Sequence, residues 1–533
     1  MEHAPEKTPL VEEKKDKKPH KTQAEQLLEI FQEVAWQCFR DDLKEPYVAI
    51  AVGEHTEILP IRSEDFETYL SGLYYKATSK AISRESVKQA ATALAAMALH
   101  STKPPVPLKV RLAGDSGEIW YDLTDPRWQA VQVWPGGWAI DKEPHLLFRR
   151  YRHQTPQRPP TQGGSLHKIL DYVNVAGNET LFLCWLVSCF VPDIPHPMPI
   201  FYGEQGAAKS TTCGMLKQLI DPSALETLTL PNDQRALTVN MKQHYFLPFD
   251  NVSHITEETS DTLCRAITGS GIQQRRLYTN DDDVVFCFLR CFALNGINNV
   301  ATRPDLLDRS ILIELSRIPE EERRELSAVK AAFSEDRGEI LGGIFDILAQ
   351  AMVLYPDVQL SKLPRMADFT RWGYAIGEAM GGHGEEFLQQ YKENREAQTT
   401  EALHSDPVAM LVVELMMERP LWEGTFSDLL SLLKLMAANA GMSSFSKSLP
   451  GHANLLSKRL RSLKSNLEAA GIWYTSGRDM HGTRVTLKSE NSSTSSTYRH
   501  KPSNINGLEH DDDMTMAGRG FVQVELPLPW DEL

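Results

Sequence analysis

Cysteine is scarce in this chain. There are 7 in 533 residues, at positions 38, 184, 189, 213, 264, 287 and 291, an odd number with no CxxC pair. That excludes a disulfide framework or a zinc ribbon and leaves buried or free thiols in a reducing compartment. Positive charge is also short. Lys and Arg number 56 against 71 Asp and Glu, a net charge of −15, so the protein does not coat nucleic acid non-specifically and any basic site must be local. Long apolar runs are missing: the longest, Leu181 to Val191, is too short to span a bilayer. The Lys-rich N-terminus has no apolar segment behind it and does not read as a signal peptide. No solenoid-type repeat and no primase-type metal cluster is visible. These absences point to a cytoplasmic protein with no membrane partner.

Hydrophobic residues make up 41% of the sequence, ample for globular cores, and the length suits about three or four domains. The most informative stretch is Gly203-Glu204-Gln205-Gly206-Ala207-Ala208-Lys209-Ser210-Thr211. It follows a short apolar run, Met198 to Tyr202, and opens an amphipathic stretch that ends near Ile220. Strand, small-residue loop and helix in that order form a phosphate-binding loop. Backbone N–H groups converge on phosphate, the helix N-terminus adds positive dipole, Lys209 neutralises β/γ charge and Ser210 holds Mg²⁺. The implied ligands are ATP and Mg²⁺. Ala208 stands where a glycine is usual.

Along the chain, residues 1–22 are charged and read as a disordered tail. Residues 23–155 read as an α+β domain. A helix carries Leu27, Phe31, Val34 and Cys38 on one face, a hairpin turns at Gly53, and an Ala-rich helix follows Ser83. Arg149, Arg150 and Arg152 read as a solvated face. Residues 156–164, with their prolines and glycines, form a linker. Two helices, about 165–174 and 178–191, precede the phosphate loop, the second apolar all round and therefore buried. The nucleotide domain spans 165–330 and a helical lid 331–393; polar residues 394–406 read as a second linker.

Downstream of the loop, the apolar run Tyr245 to Phe249 ends in Asp250, a carboxylate placed to organise Mg²⁺. A second short strand ends at Asn295, suited to position an attacking water, and Arg303 and Arg309 follow closely. Read together, the stretches Gly203–Thr212, Phe249–Ser253, Thr268–Thr279, Leu294–Ile297 and Thr302–Arg309 resemble the AAA+ ATPases. They look most like the compact helicases of superfamily 3, the poxvirus- and phage-type primase-helicases and related bacterial mobile-element ATPases. The resemblance covers about 165–390. It implies a multidomain α/β protein with an AAA+ P-loop core, assembled as a homo-hexamer that acts on DNA in replication of a phage, plasmid or integrated element. By the same resemblance Lys209 and Ser210 bind phosphate and Mg²⁺, Asp250 is the acidic partner and Asn295 is sensor 1. Arg309 is the preferred arginine finger, Arg303 the runner-up, and Arg365 or Arg371 a lid arginine. Alanine before the lysine also occurs in the minichromosome-maintenance helicases. Asn251 stands where many AAA+ enzymes carry a catalytic glutamate, leaving water activation to Glu204 or Asp250. Segment 272–289 takes the place of a pore hairpin, yet its tip, Asn280 to Asp283, is acidic, with Arg275 and Arg276 the nearest cations. An ATP-gated loader or switch that assembles on DNA without unwinding therefore stands beside the motor reading, as does a transcription regulator with an ATPase switch.

From Pro407 to Lys488 the pattern becomes three helices and a hairpin and resembles a winged helix. One helix is capped by Thr425 with Asp428. The next places Leu455, Leu456, Leu460, Leu463 and Leu467 on one face. Lys458, Arg459, Arg461 and Lys464, with Arg478 and Arg484 of the hairpin, make this region locally basic, the pattern of a DNA-contacting surface. A solvated or protein-binding helix is the alternative. Residues 489–533 read as a disordered acidic tail in which Gln523 to Leu528 resembles the short peptides that dock on bacterial sliding clamps.

Overall fold

The computed structural model describes residues 21–34, 36–275, 283–296, 303–439, 449–479 and 482–489. Most of the N-terminal tail, Arg276, the tip residues 280–282, His481 and the tail with its clamp-like peptide lie outside these.

Helix α1 (Gln23–Gln32) starts at Thr22, whose hydroxyl accepts from Glu25 N while the Glu25 carboxylate accepts from Thr22 N, a capping box. It stops before Cys38. Residues Trp36–Arg40 instead form β1, antiparallel to β2 (Pro46–Val52), which pairs in turn with β3 (His55–Pro60). Ladder pairing and the Phe39–Tyr47 ring contact override the helical period expected through Val34 and Cys38. Helices α2 (Glu64–Thr78) and α3 (Arg84–Leu99), capped by Ser63 and Ser83, bury Phe66, Leu70 and Leu94 against this sheet with Leu27, Phe31, Val48 and Ile50.

The meander β4 (Leu112–Asp115), β5 (Glu118–Asp122), β6 (Ala130–Trp134) and β7 (Gly137–Asp141) belongs elsewhere. Its apolar side chains join the core of the following region, with Tyr121 against Phe190 and Phe345 at 5.4 and 5.7 Å between ring centroids. The buried residues of the expected 23–155 domain thus divide among several clusters, one face of the meander belonging to that of the following region. Arg149 and Arg150 are no solvated face: Arg150 is 11% exposed, binds Asp122 and lies 4.0 Å over the Trp128 ring, and Arg149 packs on Tyr151. Arg152 alone of the three is exposed, paired with Asp65.

That core is built on a parallel sheet of four strands, in the order Ser310–Glu314 (β13), Met198–Tyr202 (β8), Cys291–Asn295 (β12) and Phe246–Phe249 (β9). Behind it lies α4 (Glu179–Ser188), buried on every side as its composition requires. Strand β8 (Met198–Tyr202) leads into α5 (Lys209–Ile220); α6 (Gln234–Gln243) leads into β9 (Phe246–Phe249); α7 (Glu257–Thr268) is followed by the hairpin β10 (Gly271–Arg275) and β11 (Asp283–Cys287). Strand β12 (Cys291–Asn295), the short α8 (Pro304–Leu307) and β13 (Ser310–Glu314) complete the unit. Because β12 runs between β8 and β9, its C-terminal residue emerges between the loop and Asp250.

Helix α9 (Leu326–Leu354) starts before the division expected at 330 and carries it across without a break. By length and mean hydropathy (1.4) it could cross a membrane, but 61% of that window is buried inside the protein, as in a core helix. The expected linker at 156–164 is strapped to it: Thr161 N donates to Gly338 O at 2.9 Å, and a Cβ on Gly342 would stand 1.7 Å from Thr161 O, so only glycine admits the approach. Helices α10 (Ala367–Ala379) and α11 (Gly384–Ser405) follow. The second expected linker is the C-terminal part of α11. Its polar side chains have work there: Asn394 exchanges hydrogen bonds with Leu312 N and O, and Gln398 donates to Ser310 O, covering the free edge of β13.

The C-terminal region runs α12 (Pro407–Glu418), β14 (Leu421–Thr425), α13 (Phe426–Asn439), α14 (Ala453–Ser462), α15 (Lys464–Ala469), β15 (Ile472–Asp479) and β16 (Gly482–Ser489), with sheet order β14-β16-β15. Thr425 and Asp428 bond reciprocally as the capping pattern requires. Leu456, Leu460, Leu463 and Leu467 are buried, but Leu455 is 52% exposed, because the helix breaks at Leu463 and the apolar face is narrower than the periodicity suggests.

A buried ion network ties the meander to the end of α5. Arg111, fully buried, donates through Nε to Asp221 Oδ1 at 3.0 Å; Lys217 Nζ donates to Asp221 Oδ2 (2.7 Å), Phe246 O (2.7 Å) and His244 Nδ1 (3.1 Å). Burial, then Lys217 and His153, push His244 down to about 3. Burial would raise Asp221, but Lys217 and Arg111 outweigh it and hold the carboxyl well below its usual range. For His244 the unfolded chain, with an imidazole near pH 6.5, binds the proton first. Stability therefore falls as pH drops from about 6.5 toward 3, by up to ~1.4 kcal/mol per pH unit. We expect urea midpoints to decline over this range. His244→Asn, which keeps an acceptor for Lys217, should flatten the decline; an unchanged pH dependence in that variant would contradict the assignment.

Candidate functional site

The carboxyl ends of β8, β9 and β12 bring together the loop 203–211, Asp250 and Asn295, the place where open parallel sheets hold ligands. Gly203 (φ +142°) could not be replaced, since a Cβ there would stand 2.3 Å from Leu315 O. Ala208 adopts the left-handed region (φ +56°) directly before α5, the conformation that makes glycine usual at this point and that costs an alanine about 1 kcal/mol. Lys209 Nζ donates to Gly203 O (2.8 Å) and Glu204 O (3.0 Å), so its ammonium lies against the loop backbone. Ser210 Oγ donates to Asp250 Oδ1 at 2.9 Å; Asn295 Nδ2 donates to Ser210 Oγ at 3.2 Å and to Asp250 Oδ1.

Asn295 is 4% exposed and Ser210 is exposed, so the cluster has a fixed floor and an open mouth. Asp250 is set by its backbone as well: its N–H donates to Leu228 O (3.0 Å), and Val252 N donates to Asn295 O (2.9 Å) around Asn251 (φ +52°). A hydroxyl and a carboxylate side by side are hard oxygen donors of the kind Mg²⁺ accepts while keeping several waters.

Two arginines absent from the sequence expectations reach the loop. The chain after β13 crosses it: Leu315 N donates to Tyr202 O (2.9 Å), Arg317 pairs with Glu204 (3.7 Å), and an Arg323 Nη2 is 3.4 Å from the point a Cβ on Gly206 would occupy. Their only sequence signal is a cluster of arginines, Arg317, Arg323 and Arg324, just past a buried strand.

The other expected cations lie apart from this centre. Arg309 is 9% exposed and held by Asp305, through its carbonyl and carboxylate at 2.7 Å each, an intrachain role at odds with reaching a neighbour. Arg303 is more open, 32% exposed in its side chain, and rests on Glu257 and Asp261 at the start of α7. Arg365 binds Asp305 and Asp308, and Arg371 stacks on Tyr355. In the C-terminal region Lys458, Arg461 and Arg484 are exposed and Lys464 is loosely paired with Glu468 (3.6 Å). Arg459, exposed like its neighbours, is tied to the buried Asp406, which caps α12; the side chain of Arg478 is outside the described residues.

Fold and cluster together define a multidomain α/β protein with a glycine loop, a hydroxyl–carboxylate pair and an asparagine at the mouth of a parallel sheet. Residues 165–393 match the family described as actinomycete integrative conjugative element replication protein, and residues 408–500 match the AICE RepA C-terminal domain. The chain is thus a replication protein of a mobile element. No curated protein matches it. Among solved structures, the apo C-terminal region of NrS-1 aligns at TM-score 0.38 and 12% identity over 87% of this chain and 99% of that one. The JCV helicase with a bound acetamide compound aligns at 0.21 and 14% over 41% and 71%. Likenesses this loose carry no structural conclusion.

Proposed function

We propose that the protein is an ATP-dependent DNA helicase or translocase of the AAA+ type, acting as a homo-hexamer in replication of its mobile element. The observation that carries the reading is the Ser210–Asp250–Asn295 triangle beside Lys209. ATP binds along the loop 203–211. Lys209 neutralises β/γ charge, Asn295 orients the attacking water, and Arg323 with Arg317 closes over the phosphates in cis, the role first given to Arg365 or Arg371. Mg²⁺, held by Ser210 with Asp250, would supply charge neutralisation between the β- and γ-phosphates. Arg303 replaces Arg309 as the arginine offered to a neighbouring subunit, because it is the one with an accessible guanidinium. Residues 407–488 act as a winged helix whose α14 presents Lys458 and Arg461 to duplex phosphates. Docking of residues 523–528 on a sliding clamp remains a separate proposal, tested by titrating a labelled 519–533 peptide with clamp; indifference to Gln523→Ala would reject it.

The trans role has its own test. Arg303→Ala is expected to bind nucleotide but lose hydrolysis at least about 10²-fold, the usual loss when a transition-state donor is removed. Mixed with Lys209→Ala, it should regain part of the activity at hybrid interfaces. Hydrolysis by a strictly monomeric preparation would overturn it. A second reading, an ATP switch that loads on DNA without unwinding, is favoured by the acidic residues 281–283; DNA-stimulated hydrolysis without strand displacement would select it.

A further inference from the structure

The β14-β16-β15 sheet has two unlike faces. One is packed on the helices of its own domain through Ile472, Tyr474, Val485 and Leu487. The other is open, and register fixes what it presents. Leu421, Lys488 and Trp473 lie abreast across the three strands, followed by Glu423, Thr486 and Thr475, then Thr425, Arg484 and Gly477. Trp473 is 38% and Leu421 55% exposed, and Lys488, Arg484, Thr475 and Glu423 are exposed too. The indole of Trp473 thus stands abreast of the Lys488 cation on the open face.

We infer that this sheet face binds single-stranded nucleic acid, with a base stacked on Trp473 and the backbone following Lys488 and Arg484 along β16. The charge arrangement selects this occupant. Both cations are on the central strand, four residues apart, a span of roughly 13 Å that suits phosphates two nucleotides apart along an extended strand. Glu423, the carboxylate with a described side chain that register places on this face, lies on the far edge strand from Trp473, and Asp428 of α13 acts on Arg484, so Lys488 is the cation directly beside the indole. In a chain of net charge −15 such a pairing is a local exception. Stacking on an indole tolerates any base, so little sequence preference is expected. This surface is distinct from the exposed side of α14 and does not depend on the ATPase reading.

The test uses the full chain and fluorescence anisotropy with labelled oligo(dT) of about 20 nucleotides and a duplex of equal length. Trp473→Ala should weaken oligo(dT) binding about 5- to 150-fold, the range for loss of one base stack. Trp473→Phe should recover most of it, and duplex affinity should change less than about twofold. Lys488→Glu should reduce the salt slope for oligo(dT) by about 0.7 or more, the share of one phosphate contact. Charge reversal of Lys458 and Arg461 should do the opposite, weakening duplex and sparing oligo(dT). Unchanged oligo(dT) affinity in a folded Trp473→Ala protein would overturn the inference. So would a drop in oligomer mass in that variant with affinity lost in proportion, which would make the face a contact between copies of the chain.

Discussion

Lys209→Ala is expected to abolish ATP hydrolysis, by at least about 10²- to 10³-fold, while the protein stays folded. In the proposed site the ammonium is the charge partner for the β/γ-phosphates, and preorganised electrostatic contacts of this kind contribute a few kcal/mol to the transition state. Nothing comparable is lost from the fold. Lys209 is only half-buried, and its two hydrogen bonds go to the loop carbonyls of Gly203 and Glu204, which water can satisfy. A melting temperature within about 2 °C of wild type should accompany the loss, and turnover at the wild-type rate would refute the site. Asn295→Ala offers a milder control: it frees Ser210 and Asp250 from their shared donor, so hydrolysis should fall while nucleotide binding persists.

Asp221→Ala is expected to destabilise the fold by about 3–5 kcal/mol, because it leaves the buried charges of Arg111 and Lys217 without their shared carboxylate. Both partners are fully buried, so water cannot replace the carboxylate without opening the core. It would also strip the acceptor from Tyr245 N at the entry to β9, the strand that carries Asp250. Denaturant midpoints of the wild type and variant would measure the loss. Combining it with Lys217→Met should recover part of the stability, since removing a charge together with its partner costs less than orphaning it. A loss below about 1 kcal/mol would mean the network is not the tie between meander and phosphate helix that its geometry indicates.

The parts of the site that were legible in the sequence are those whose chemistry is local. The loop 203–211 announces itself through glycines, lysine and serine between a strand and a helix; Asp250 and Asn295 are readable because each ends a short apolar run. What sequence reasoning could not reach depends on contacts between distant residues. Arg111 and Asp221 lie 110 positions apart. Asn394 and Gln398 read as linker because they are polar, yet their polarity is what an exposed strand edge needs. Motif order singled out Arg309, but its burial and its pair with Asp305 are features that the motif does not carry. Composition likewise hid the meander's allegiance: its strands look like part of the preceding α+β region until Tyr121 and Trp138 are seen against Phe345.

Strand displacement on a forked DNA substrate by the purified chain with ATP and Mg²⁺ tests the central claim most directly. The account predicts unwinding that requires hydrolysable ATP, is lost in Lys209→Ala, and appears only in the fraction whose mass corresponds to an oligomer. ATP hydrolysis stimulated by DNA with no strand displaced on any fork would contradict it and leave the protein an ATP-gated switch.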